Sequence, residues 1–118
     1  RTDGGGDAAV EKAGVRYVVM ESGGDAKQMM AMLGELTRDP STPTLAVLGS
    51  REGGGTLIVA STEGSIAAEQ HNAVEILNAI AGHIGGGGGG RPTIAQGGGS
   101  NPDGIPDALD AARSLLGI

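Results

Sequence analysis

Residues 44–60 read TLAVLGSREGGGTLIVA. Two five-residue apolar runs, 44–48 and 56–60, flank a polar, glycine-rich link at 49–55. Short runs of β-branched and aliphatic residues bounded by glycine predict two strands closed into an antiparallel hairpin. Neither run alternates with polar residues, so helices are expected on both faces of the sheet. Upstream, residues 16–20 (RYVVM) predict another strand, ended by Ser22-Gly23-Gly24. Between it and the hairpin, Met29, Met32, Leu33 and Leu36 fall at i, i+3, i+4 and i+7, one face of a helix over 25–38. Asp25 in its first turn and Arg38 in its last suit the helix dipole, and Pro40 stops it.

Downstream, Ser65 can cap a helix over 66–84, whose apolar stripe is Ala73, Val74, Leu77, Ile80, Ala81 and Ile84. Residues 93–96 predict a short strand. A last helix starts near Pro106, with Leu109, Ala112, Leu115 and Leu116 on its apolar face. The order strand–helix–strand–strand–helix–strand–helix gives the expected fold class: α/β, a small single domain whose mixed parallel/antiparallel sheet is flanked by helices. Residues 15–118 are assigned to this globular unit. Residues 1–14, polar and glycine-rich, are assigned to a flexible lead-in or truncated linker. The chain opens on Arg1 rather than Met, as a piece cut from a longer protein would.

Composition narrows the function. Tyr17 is the one aromatic residue of 118, so the core must be aliphatic and base stacking on aromatic platforms is excluded as a main binding mode. The absence of cysteine excludes a disulfide framework and a thiolate metal site. No apolar run approaches the length of a membrane span and no signal peptide is present, so a cytoplasmic location is expected. Fourteen acidic residues against eight basic ones leave a net charge of −6, without the broad basic footprint of strong nucleic-acid binders. Any RNA contact is therefore expected to be local and led by shape.

Glycine is the outlier, 24 of 118 residues against a usual share of about 7%. Its densest stretch, residues 84–100, reads IGGGGGGRPTIAQGGGS. A flexible linker is the bland reading of such a run. Its position between a helix and a strand, with a second cluster six residues on, argues for something else. Ordering each residue costs about 1–2 kcal/mol of backbone entropy, which bare amides aimed at phosphates could offset. A ligand-facing loop and a structural or mobile one both stay open on these grounds. No Lys-Ser or Lys-Thr follows, so it is not a P-loop, and the glycines follow a helix, which excludes the dinucleotide fingerprint.

The stretch 84–100 resembles the C-terminal motif of alanine–tRNA ligases, GGxGGGRPxxAQxGG. Residues 104–109 (GIPDAL) are similar to that family's closing helix, and the upstream order of elements agrees over residues 15–118. Related domains of DHH phosphoesterases grip single-stranded nucleic acid, but commonly carry a histidine after the glycines; here Arg91-Pro92 and Ala95-Gln96 stand instead. The resemblance implies a non-catalytic domain that touches the outer corner of tRNA-Ala and joins two subunits into a homodimer. Aminoacylation and editing, with ATP, Mg and an editing-domain Zn, would belong to upstream domains, and this piece would hold no cofactor. The alternatives are a self-association module with little RNA affinity, a DHH phosphoesterase domain, or part of a freestanding alanyl-tRNA editing protein. Many family members carry a basic residue inside the glycine run, where Gly87 stands here.

The RNA-binding candidates are Gly86, Gly87, Gly88, Gly89, Gly90, Arg91, Gln96 and Arg51. Arg91 beside bare amides can grip phosphate in a bidentate fork, or form a structural ion pair. Arg51 lies on the hairpin turn, where a solvated role is the simpler reading. Gln96 can bond a base edge or ribose, although satisfying backbone groups between the glycine clusters is simpler. His71 and His83, twelve apart, lack a metal-ligand spacing; a surface His71 and a helix-terminal His83 are expected. Met29, Met30 and Met32 are expected to pack in or near the core. No catalytic constellation is present.

Overall fold

The hairpin expected over residues 44–60 is present in the middle of the central sheet as strands β3 (Thr44–Ser50) and β4 (Thr56–Ser61), numbered in chain order. They pair antiparallel from Leu45↔Ser61 to Ser50↔Thr56, through a 3-10 turn at Glu52–Gly54. The structure is a computed structural model that describes residues 9–39 and 41–118. The preceding strand β2 (Val15–Glu21) lies parallel to β3, joined to it by helix α1 (Ala26–Leu36). Beyond β4 come α2 (Ile66–Gln70), α3 (Ala73–Ile80), β5 (Gly87–Arg91), β6 (Ile94–Gly98) and α4 (Ile105–Leu116). With β1 (Ala9–Lys12) at one edge and β5 at the other, the sheet has the order β1-β2-β3-β4-β6-β5. Only β2 and β3 run parallel, so the sheet is mixed as expected.

Side chains alternate across a strand, and the two faces of this sheet separate cleanly. Val15, Tyr17, Val19, Leu45, Val47, Leu57, Val59 and Ala95 pack under α2, α3 and α4. Val18, Ala46, Leu48, Ile58 and Ala60 pack under α1, against Met29 and Leu33. All seven residues of β3 are buried, which is the both-faces coverage its unbroken apolar run implies. Full burial of an aliphatic side chain of this size contributes about 1.5–3 kcal/mol. Helix α1 covers the β3–β4 part of its face. Gln96 and Gly98 of β6 stay exposed there.

Several expectations change. Residues 9–12, inside the stretch assigned to a lead-in, form edge strand β1, paired from Ala9↔Val18 to Lys12↔Val15; residues 1–8 and Pro40 lie outside the described residues. The helix expected over 66–84 is three pieces: α2, α3 and a 3-10 turn at Ala81–Ile84. It breaks at His71, extended at φ −132°, and Asn72 caps α3 by accepting from the Val74 and Glu75 amides. A local side-chain acceptor competes with helix continuation at such a residue. On α1, Asp25 is the N-cap in a reciprocal capping box with Gln28. Met29 is buried, but Met30 and Met32 are 39% and 38% exposed. Leu115 of α4 is likewise 54% exposed. The last change concerns the glycine run.

Candidate nucleic-acid interface

The glycine run is not a loop. Gly87, Gly88, Gly89, Gly90 and Arg91 are edge strand β5, exposed along its whole length, and Gly86 leads into it. Its partner is β6: Gly87 faces Gly98, Gly88 faces Gly97, Gly89 faces Gln96, Gly90 faces Ala95 and Arg91 faces Ile94. The two clusters read as separate in the sequence are thus facing strands of one hairpin, turned by Pro92-Thr93. A Cβ at Gly86, Gly88 or Gly90 would overlap the carbonyl oxygens of Gly98, Gln96 or Ile94. At Gly87 and Gly89 a Cβ would meet nothing within 4 Å. The period of two identifies the reason for the run: alternate positions let the backbones of β5 and β6 approach closely, and the others leave a bare strand open to a partner.

Hydrogen bonds hold this edge in place. The Ala73 amide donates to the Pro92 carbonyl at 2.8 Å, fixing the β5–β6 turn to the start of α3. At the other end, Ser100 and Asn101 amides donate to the Ile84 carbonyl, both at 2.9 Å. The entropy cost of ordering the glycines is thereby offset by backbone bonds and packing within the chain, without any phosphate.

The sheet separates the candidate side chains. Arg91 closes β5 at the turn, is exposed, and makes no ion pair among the described residues. Arg51 lies at the opposite end of the sheet, beyond Ser50, whose partner Thr56 faces Gly98. Its Nε donates to Glu21 Oε2 at 2.9 Å, so it serves the fold locally and stands apart from Arg91. Gln96 lies on β6, on the α1 side of the sheet, exposed and without a side-chain hydrogen bond among the described residues. It does not satisfy the glycine backbone.

Sequence reasoning missed two features. Arg91 lines a groove of about 370 Å³ that also includes Met30, Leu33, Gly34 and Arg38 of the α1 segment and Ile94 of β6. The exposed Met30 lines this groove. His71 is half-buried rather than free on the surface: its Nε2 lies 2.8 Å from the Tyr17 hydroxyl, with the rings edge to face at 5.5 Å. Burial pushes the Tyr17 phenol up from its usual pKa and the His71 imidazole down. Among the described residues no group of three or more His, Asp or Glu could hold a metal ion. No helix among them is long and apolar enough to cross a membrane.

Known proteins resemble this chain in sequence and in fold. The DHHA1 domain family model matches residues 12–117. Alanine–tRNA ligase of Pediococcus pentosaceus is 33% identical over 111 residues, 94% of this chain and 13% of the relative. That of Methanothrix thermoacetophila is 39% identical over 107 residues, 90% of this chain and 11% of the relative. The chain therefore spans about an eighth of the curated relatives it matches. Among solved structures, the C-Ala domain of Aquifex aeolicus alanyl-tRNA synthetase superposes with a TM-score of 0.67 at 27% identity. That match covers 86% of this chain and 89% of the other.

Proposed function

The chain belongs to the DHHA1 domain family, with alanine–tRNA ligases among its relatives, and from that premise we propose that it contacts tRNA-Ala through the β5–β6 hairpin. In this reading it is the non-catalytic C-terminal domain of a cytoplasmic alanine–tRNA ligase and meets the outer corner of the tRNA. Aminoacylation, editing and their ATP, Mg and Zn belong to segments outside this chain. The observation that carries the reading is the bare edge strand Gly87–Arg91, which ends in an arginine without an ion pair among the described residues. Amides without side chains let a sugar-phosphate surface approach closely, and the guanidinium supplies a fork for one phosphate. Arg91→Ala is expected to weaken tRNA-Ala binding about tenfold or more, the scale of one charge-assisted hydrogen bond. Fluorescence anisotropy at low salt, with a DNA oligonucleotide as control, reads this; unchanged affinity would remove Arg91 from the interface.

A second reading is favoured by the same edge. Natural edge strands are usually guarded by charge, and β1 carries Glu11 and Lys12, whereas β5 presents four glycines before Arg91. Such a strand can add to the β5 of a second copy, so that the domain joins the subunits of a homodimer. Sedimentation as a monomer throughout the micromolar range would count against that role.

A further inference from the structure

Helix α1 carries a glycine that nothing among the described residues explains. Gly34 lies in the third turn of Ala26–Leu36, is exposed, and a Cβ there would meet no atom within 4 Å. Glycine in a helix interior lowers helix stability relative to alanine, and no close approach within the chain compensates for it. The residue lines the groove between α1 and the ends of β4 and β6. The groove's apolar surface comes from Met30 and Ile94, over a floor closed by the buried Leu33, and its charged lining is Arg38 from the α1 side, Arg91 from the glycine hairpin and one acidic residue, Glu63. Among the described residues Arg38 is held by Glu35, at 3.0 Å with both side chains largely exposed, a contact that a phosphate can replace at little cost. Arg91 and Ile94 belong both to the hairpin and to the groove, so the two surfaces are continuous.

We propose that this groove receives one unpaired nucleotide of the bound RNA, its base against Met30 and Ile94 and its phosphate at Arg38 and Arg91, on the side away from Glu63. The inference rests on the RNA-contacting reading above and deepens it. An aliphatic cleft suits a base face where no aromatic platform exists, and the methionine sulfur adds a polarisable contact to a ring. The missing side chain at position 34 leaves room for the base.

The test uses the 118-residue chain and fills the groove from Gly34. Gly34→Leu is expected to weaken tRNA-Ala binding roughly tenfold or more, the scale of one lost base contact. Its melting temperature should not fall, since the helix gains propensity. Gly34→Ala, a smaller intrusion, should weaken binding by a smaller factor, between the parent chain and Gly34→Leu. Independently, GMP at millimolar concentration should shift the amide resonances of Gly34, Arg91 and Ile94, and those shifts should vanish in Gly34→Leu. Parent-like tRNA affinity in Gly34→Leu would overturn the groove assignment while leaving the hairpin reading intact. A parent chain that binds no tRNA would instead remove the RNA reading, and absent GMP shifts would then remove the groove with it. A change of sedimentation in Gly34→Leu without loss of RNA affinity would assign the groove to a protein partner and overturn the proposal.

Discussion

A methyl group at Gly88 would overlap the Gln96 carbonyl oxygen, whereas at Gly87 it would stand in open space. The obstacle at Gly88 is backbone, which cannot rotate away, so Gly88→Ala must push β5 off β6. That change should cost about 1–3 kcal/mol, as overpacking does elsewhere. Gly87→Ala should be neutral or stabilising by up to about 1 kcal/mol, because it restricts the unfolded chain without straining the folded one. Urea denaturation of the two variants checks this; equal losses would mean that the alternation has no structural role. The sequence carried no trace of the alternation, because six identical residues in a row conceal a period of two. The same blindness applied to Gly34, whose open surroundings become evident only once α1 is packed on the sheet. Arg91 and Gln96 were legible as candidates by residue type, while the ion pair that ties Arg51 to Glu21 joins residues thirty apart and was not.

The break between α2 and α3 shows how one element gains its geometry from another. An uninterrupted helix would satisfy the apolar stripe from Ala73 to Ile84, and the periodicity favoured it. Asn72 caps α3 instead, and His71 turns inward to meet the Tyr17 hydroxyl of β2. This contact joins the α2–α3 corner to the sheet and has a consequence for pH. Burial holds the folded His71 below its usual value of 6.5, so on acidification the unfolded chain takes up the proton first. Stability is therefore unaffected by His71 above pH 6.5 and falls as pH drops from there towards the lowered folded value, levelling off below it. Asp39 has its carboxylate held below 3.8 by hydrogen bonds from Ser41, so its contribution is intact above that pH and is lost only as pH falls through its lower folded value. Melting temperatures between pH 7.5 and 5 should fall more for the parent chain than for His71→Gln; parallel curves would show that His71 titrates as if unfolded.

Across the whole molecule the net charge of −6 opposes a polyanion, so the proposed association with tRNA would draw on a small local footprint. If Arg38 and Arg91 are the main phosphate contacts, the dependence of log K on log salt should have a slope of about −1 to −2, close to −0.7 to −0.9 for each phosphate neutralised. A slope near −6 would require many more phosphate contacts and would place binding on another surface. The sequence by itself determined the fold class, the β3–β4 hairpin, the positions of α1 and α4 and the family resemblance. Each of these follows from local propensity, hydrophobic period or a contiguous motif. Tertiary structure alone decided that the glycine run is an edge strand, that the long helix breaks, and that α1 and β6 enclose a groove with an arginine from each side. Those features depend on strand partners and helix packing between residues far apart in the chain. A glycine run has no side-chain pattern from which its partner could be read.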